Sequence, residues 1–310
     1  MGAIVRFKMK VFIVGNVAID ETFAVNRIPC EGESIFGTRV TTDLGGKGAN
    51  QAIVFARSGV TAVLIAATGT DTKADMIRNF LIEEPVITRL IDIADKTSDS
   101  SIILKDGRGG NAIVTTVDCA RSLDAEEIIR RMTDANSGDL LVLQGNTNLA
   151  TTKYLITKAL ERDMQVILNP SPFETGIEAL MINVNTIFLN EHEAFQITGC
   201  QNNNAVKKLL EIGVETVVLS KGEKGLLLGT KAGIFTVPAH PCEVIDSTGA
   251  GDTLLAVALA ASIFHKSNIG LRSLEIAAKA ASLTVSRSGT LKAFPTKEEL
   301  GHLIKGVSIT

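Results

Sequence analysis

The sequence predicts an α/β protein: an open, mostly parallel sheet with helices on both faces and a small β flap beside it. Three observations carry this reading. Short runs rich in Val, Ile and Leu recur along the chain, segments of helical spacing lie between most of them, and everything from about Gly249 onward reads as helical. Parallel strands need crossovers, and because helices cover both faces their strands appear as continuous apolar runs rather than alternating ones.

Taken in order, buried strands are expected at 11–14, 62–67, 140–143, 166–168, 186–189 and 216–219. Helices are expected at 49–57, 73–82, 125–133, 151–161 and 205–212, where apolar residues return every three or four positions. The Ala-rich segments 250–264, 271–287 and 296–304 complete the helical end of the chain. Two regions break the alternation. Residues 20–44 form a polar-apolar stretch with Pro29 and Gly32, and residues 99–118 read as strands 100–104 and 112–117 joined by Asp106-Gly-Arg-Gly-Gly110. These two segments are the expected flap.

A length of 310 residues suits one large domain of this class, and neither an internal repeat nor a linker divides it. The 45% hydrophobic content and positive mean hydropathy describe a chain with a sizeable core. Thirty-one Lys and Arg against 34 Asp and Glu leave a net charge of −3 with no basic run, which argues against nucleic acid or an anionic membrane as partner. Cys30, Cys119, Cys200 and Cys242 stand far apart with no C-x-x-C pair, the pattern of reduced thiols rather than of disulfides or zinc ligands. The first eight residues lack the apolar core of a signal peptide, and the most apolar run, 253–264, is too short to span a bilayer. A cytoplasmic location is expected.

The sharpest chemical feature is Asp246-Ser-Thr-Gly-Ala-Gly-Asp252, followed at once by an apolar helical run. Glycines at a helix start leave backbone N–H groups unobstructed, and the macrodipole draws anions there. Asp252 then enters the first turn beside the anion, where a carboxylate serves to take a proton from an attacking hydroxyl. Taken alone, the same residues also fit a helix capped by Ser247 or Thr248 with Asp252 complementing its dipole.

Leu44-Gly-Gly-Lys-Gly-Ala-Asn50 opens a second helix and offers amides and Asn50 to a ligand's hydroxyls, although a tight turn would use the same residues. It lacks the spacing and the Ser or Thr of a Walker A loop. Asn190 and Glu193 in Leu189-Asn-Glu-His-Glu193 fall three apart on one helix face, with oxygens suited to magnesium held through water. Asp20 follows the first strand, where an open α/β sheet binds ligands, and Ser220-Lys-Gly-Glu-Lys-Gly225 reads as a nucleotide loop or an ordinary hairpin turn. Gly107-Arg-Gly-Gly-Asn-Ala112 matches G-x-G-x-x-A but precedes a strand pattern, so its dinucleotide reading fails. The four histidines have no matching nucleophile motif.

In this order and over essentially the whole chain, from Gly15 to Pro295, these elements resemble the ribokinase-like (PfkB) family of carbohydrate kinases, nearest its ribokinase branch. The resemblance implies an ATP-dependent sugar kinase that transfers the γ-phosphoryl of Mg-ATP to a primary hydroxyl of ribose or a related pentose or hexose. It implies that Asp252 is the base and that the amides of Gly249, Ala250 and Gly251 form the anion hole. Asp20, Gly46, Lys47 and Asn50 match sugar-contacting positions, with Asn146 standing in the same region. Asn190 and Glu193 match the element that organises magnesium and phosphates, while Ser220, Gly222 and Gly225 match the nucleotide loop. Asp246, Thr248, Thr284, Arg287 and Gly289 match a loop pair that holds a monovalent cation, potassium, in many members. Segments 20–44 and 99–118 match a β lid that closes over substrate and often joins two subunits.

Departures bear mainly on substrate. Ala18 replaces an asparagine usual in ribokinases, Gln144-Gly-Asn146 stands where a glutamate is expected, and Ala293 replaces a serine near the cation loops. Leu254 and Val257 read as packing changes. A nucleoside or vitamin kinase of the same fold, or a non-catalytic sensor of sugar or nucleotide, are the competing readings; the retained Asp252 speaks against the sensor.

Overall fold

The computed structural model describes residues 9–107 and 110–306. Arg108 and Gly109 of the expected flap turn lie outside the described residues, as do the first eight. Along the chain run strands β1 (Lys10–Val14), β2 (Ala18–Val25), β3 (Gly37–Gly45), β4 (Thr61–Thr68), β5 (Ile87–Asp92), β6 (Ser100–Asp106) and β7 (Asn111–Thr115). They continue with β8 (Leu140–Gln144), β9 (Gln165–Asn169), β10 (Thr186–Asn190), β11 (Thr216–Ser220), β12 (Leu226–Thr230) and β13 (Gly233–Val237). The helices are α1 (Lys47–Arg57), α2 (Thr72–Ile82), α3 (Asp118–Arg121), α4 (Ala125–Arg130) and α5 (Leu149–Leu160). Then come α6 (Glu191–Thr198), α7 (Asn202–Ile212), α8 (Ala250–His265), α9 (Leu271–Val285) and α10 (Lys297–Lys305).

Nine strands form the main sheet in the order β13-β12-β11-β10-β9-β8-β1-β4-β5. Strands β11 through β5 in that order pair in parallel, and β12 alone runs against the rest, pairing antiparallel with both β11 and β13. Alternate residues of β1 feed opposite faces. Val11 and Ile13 join the core under α1, α8 and α9, while Phe12 and Val14 join the core under α5 and α7. This is why the apolar runs read as continuous. The run 253–264 is explained the same way, because α8 is buried from Thr253 through Ser262 against other elements of the chain. Among the described residues no helix is long and apolar enough to cross a membrane.

The flap segments form a separate four-stranded sheet, β3-β2-β6-β7. Its central pair, β2 and β6, is parallel, and the outer pairs are antiparallel. The sheet begins at Ala18, slightly earlier than 20. Three strands escape the sequence pattern. Edge strand β5 has mostly exposed or half-buried residues, so it shows no apolar run, and β12 and β13 are short antiparallel additions at the opposite edge. Helix 125–133 is shorter than expected, ending at Arg130 where the backbone turns.

Chain order makes β1 and β8 the place where the sheet changes direction: β4 and β5 lie to one side of β1, and β8 to β13 to the other. The loops leaving the two strands diverge there, opening a crevice at their carboxyl ends. Gly15 lets these elements approach. A Cβ on it would lie 1.8 Å from Gln144 Oε1 and 3.0 Å from the Gly48 Cα. Gly15→Ala is therefore expected to lower the unfolding free energy by about 1–3 kcal/mol through overpacking, read from the urea midpoint; an unchanged midpoint would show that the crevice floor has slack.

Candidate active site

The crevice is a cleft of about 1040 Å³ whose walls come from the carboxyl ends of the main-sheet strands and from the second sheet. Asn16 follows β1, Asn146 follows β8, Asn169 ends β9, Asn190 ends β10 and Ser220 ends β11. Ser101, Ile103, Ile113 and Thr115 of the second sheet face them.

Asp252 lies in the first turn of α8 and is 3% exposed. Asn50 Nδ2 donates to its Oδ2 and Gln51 Nε2 to its Oδ1, both at 2.9 Å. Gln144 Nε2 in turn donates to Gln51 Oε1 at 2.8 Å. The carboxylate is thus oriented from α1 and β8, and a carboxylate oxygen holding one such bond still has a lone pair for a hydroxyl proton. Asn50, expected to face sugar, donates to Asp252 and also lines the cleft.

Gly249 caps α8 at φ +76°, a left-handed conformation in which an added Cβ would lie 2.5 Å from the Phe294 ring. Gly251 faces open space in the cleft. The Ala250 amide donates to the Ser247 carbonyl at 3.3 Å, so it closes the turn and is not simply presented to an anion.

At the opposite end Gly46 caps α1 at φ +93°, with Asn16 O and Val17 Cα each 2.8 Å from where its Cβ would be. Lys47 lines the cleft beside it. Asp20, on β2, is 7% exposed, and Ser101 hydrogen-bonds to it. Burial raises its pKa to about 6, against the Ser101 bond; the nearby Asp43 and Asp252 push in the same direction as burial. Oδ1 of Asp20 has no donor, and neither do Oδ1 of Asn16 and Oδ1 of Asn146. All three residues line the one cleft.

Asn190 is not on the face of α6 but caps it. Its Oδ1 accepts from the Glu193 amide and Glu193 Oε2 accepts from the Asn190 amide, each at 2.9 Å, a reciprocal capping box. One oxygen of Glu193 is left over for other use. Ser220 and Gly222 reach the cleft, but Gly225 does not line it: a Cβ there would meet Val237 O at 2.2 Å, so this glycine serves the β11–β12 hairpin. The segment is a hairpin turn, and it borders the cleft. His192 lines the cleft too.

The two loops expected to hold a cation meet at Asp246, whose amide donates to the Val285 carbonyl at 3.1 Å. Thr248 Oγ1 and its amide donate to Asp246 Oδ1 at 2.7 and 3.0 Å, the Gly289 amide approaches Oδ2 at 3.4 Å, and the Lys105 ammonium of β6 pairs with Oδ2. Burial works to raise the Asp246 pKa, but Lys105 and Thr248 outweigh it and hold it below the usual carboxylate range. The Thr284 hydroxyl shares a 2.9 Å bond with Thr253 on α8, and Arg287 clasps Glu299 of α10 at 2.5 and 3.1 Å, so neither side chain faces Asp246. Asp43 of the second sheet accepts from the amides of Thr290 and Leu291 at 3.2 and 3.0 Å.

Gln51, Asn16, Ser101, Asn169, Asp43 and Lys105 join the site without a role expected from the sequence, and Gln144, expected only as a departure near Asn146, supports Gln51. Gln51 directly follows the glycine-rich motif that ends at Asn50, and Asn16 lies between β1 and Asp20. Lys105 and Ser101 carried no signal beyond the period of two along a flap strand.

A helix start open to an anion, an oriented carboxylate in its first turn and buried acceptors opposite define a phosphotransferase with an alcohol as acceptor. The sequence profile of the pfkB family carbohydrate kinases matches residues 8–297, and the chain belongs to that family. It is a carbohydrate kinase. The ribokinase of Staphylococcus aureus is 28% identical over 95% of this chain and 99% of its own. A bifunctional ribokinase/ribose-5-phosphate isomerase A of Fructilactobacillus sanfranciscensis is 27% identical, and the match covers 97% of this chain but 57% of that protein. The structure of Arabidopsis thaliana ribokinase with ribose and ATP superposes with a TM-score of 0.83 at 23% identity, covering 97% of this chain and 99% of the other.

Asp20 ties the site to stability. Its folded pKa of about 6 exceeds the ordinary 3.8, so the folded chain binds this proton more tightly. The contribution is fully present below the unfolded value and lost as pH rises through about 6, leaving a cost near neutrality on the order of 2–3 kcal/mol. Asp20→Asn is expected to raise the urea-unfolding free energy near neutral pH by about 1–2 kcal/mol, the gain fading as pH approaches about 4. A gain constant across that range would place the cause elsewhere.

Proposed function

We propose that the cleft phosphorylates a primary hydroxyl of a small sugar, ribose or a related pentose or hexose, with Asp252 as the general base. The observation that carries this is the set of three buried acceptors without donors, on Asn16, Asp20 and Asn146, around one cleft that also holds Asp252. A polyol supplies several hydroxyl donors at once, and each match relieves an unsatisfied buried oxygen worth about 1–3 kcal/mol. The sugar sits between these residues and Lys47 at the Gly46 turn, its reacting hydroxyl toward Asp252.

The nucleotide lies along Asn190, Ser220 and Gly222, with its γ-phosphoryl toward Gly249 and Gly251 at the start of α8. Magnesium fits this donor set as an ion held through water and the phosphates, since hard oxygen ligands suit it and Glu193 offers one oxygen outside its capping box. When bound, the ion would neutralise charge between the transferring phosphates.

The whole chain acts as a single kinase domain in which the second sheet is a lid. Closure serves to exclude water, a competing acceptor. The lid's outer face exposes Ile102 and Val114, paired directly across β6 and β7, and Phe36 is fully exposed nearby, a surface suited to a second copy of the chain. Four unpaired cysteines and ATP as co-substrate favour the cytoplasm.

Asp252→Asn is expected to lower kcat by about 10² to 10⁴-fold with sugar and nucleotide binding largely kept; full turnover would remove the assigned base. In Asp20→Ala the KM for sugar should rise far more than that for ATP, and in the native enzyme it should climb as pH falls below about 6, where Asp20 gains a proton. An equal rise for both substrates would contradict the Asp20 role. A coupled ADP-release screen over pentoses, hexoses, their phosphates and nucleosides identifies the acceptor; stimulation by nucleosides alone would overturn the sugar.

A further inference from the structure

We infer that Lys105 is a built-in cation for the loop behind the anion site: its ammonium, carried on the second sheet, takes the place at Asp246 that a monovalent metal ion would occupy, and the enzyme turns over without potassium. The inference rests on the reading of the α8 start as the phosphate site.

The geometry begins with register. In β6 the residues Ser101, Ile103 and Lys105 alternate onto the face turned toward the main body, the face on which Ser101 meets Asp20. Lys105 is thereby delivered to Asp246, whose side chain is 7% exposed, while the Lys105 side chain is 31% exposed. Asp246 lies three positions before the Gly249 cap, so the pair stands directly behind the loop that would receive phosphate. A carboxylate buried so far is costly unless donors or a counter-charge meet it, and here Thr248 supplies donors and Lys105 the charge.

Three side chains of that region offer potassium no free oxygen. Ala293 is fully buried and brings a methyl group rather than a hydroxyl, the Thr284 hydroxyl is turned to Thr253, and the Arg287 side chain is held by Glu299. A second cation beside the same Asp246 oxygens would also be repelled by the ammonium already there. The consequence is a coupling. Where an ion diffuses to its site independently, Lys105 arrives only when the second sheet is docked, so the loop is charge-balanced only in the closed arrangement. Lys105 acts on the reaction through Asp246 and the loop, as a positioning residue.

The test uses the full chain in potassium, sodium or tetramethylammonium chloride at equal ionic strength, with both turnover and the thermal unfolding midpoint as readouts. Turnover and midpoint of the native protein should be the same in potassium and tetramethylammonium. Lys105→Met, which keeps the aliphatic stem, should lose about tenfold or more in turnover in tetramethylammonium, and potassium should restore part of that loss and raise its midpoint. Lys105→Arg should behave as the native chain. Potassium stimulation of the native enzyme together with a raised native midpoint overturns the inference, as does a Lys105→Met protein that matches the native one in every salt. If Lys105→Met fails to fold, the native protein's response to potassium alone decides. Absence of sugar-dependent ADP release in all salts would strike the phosphate-site reading instead, and the midpoints would still report on Lys105.

Discussion

The cleft depends on one buried carboxylate being held from two directions. Asp252 arrives on α8 from the far end of the chain, and the amides of Asn50 and Gln51 reach it from α1, with Gln144 of β8 behind Gln51. A carboxylate at this depth is costly unless its oxygens find donors, and here each finds one. The same bonds set the relative placement of the two helix starts, which bring the Gly46 turn and the Gly249 turn to one cavity. Packing alone would fix the helices against the sheet; the amide–carboxylate chain fixes how their amino ends meet.

Polar ties also decide where the second sheet sits. Asp43 on β3 takes the amides of Thr290 and Leu291, Lys105 on β6 takes Asp246, and Lys73 of α2 donates to Ser100 Oγ at 2.9 Å. Directional bonds of this kind can be made and broken as units, whereas a large apolar interface would hold the sheet permanently. The arrangement roots the second sheet in the main core through Ile19 and Leu44 and ties the rest of it by a few exchangeable polar contacts.

Much of this was legible in the residues. Buried parallel strands announce themselves because both faces are apolar, and the glycine turns at Gly46 and Gly249 announce themselves because only glycine is free at those φ values. The loops joined to those turns line the cleft. Edge strands such as β5 carry little signal, because one side of each is solvent. The second layer of the site was silent: Gln51 and Gln144 are unremarkable until the fold brings residues 93 positions apart to 2.8 Å. Asn190 and Glu193 show the opposite failure. Their spacing was visible and its immediate use, a capping box, is local, so only the oxygen left over is available for chemistry.

The parallel pairing of β2 with β6 sets an order on how the molecule assembles. The two strands are separated in sequence by β3, α1, β4, α2 and β5, most of which belong to the main body. Closing that long loop costs chain entropy that local contacts cannot return, so the pair gains most once β4 and β5 have joined β1. The cover therefore waits for residues 46–99 to fold back on β1, yet its four strands are all made before α8 brings Asp252 to the cleft, so on a nascent chain the cover can pair before there is a catalytic base beneath it.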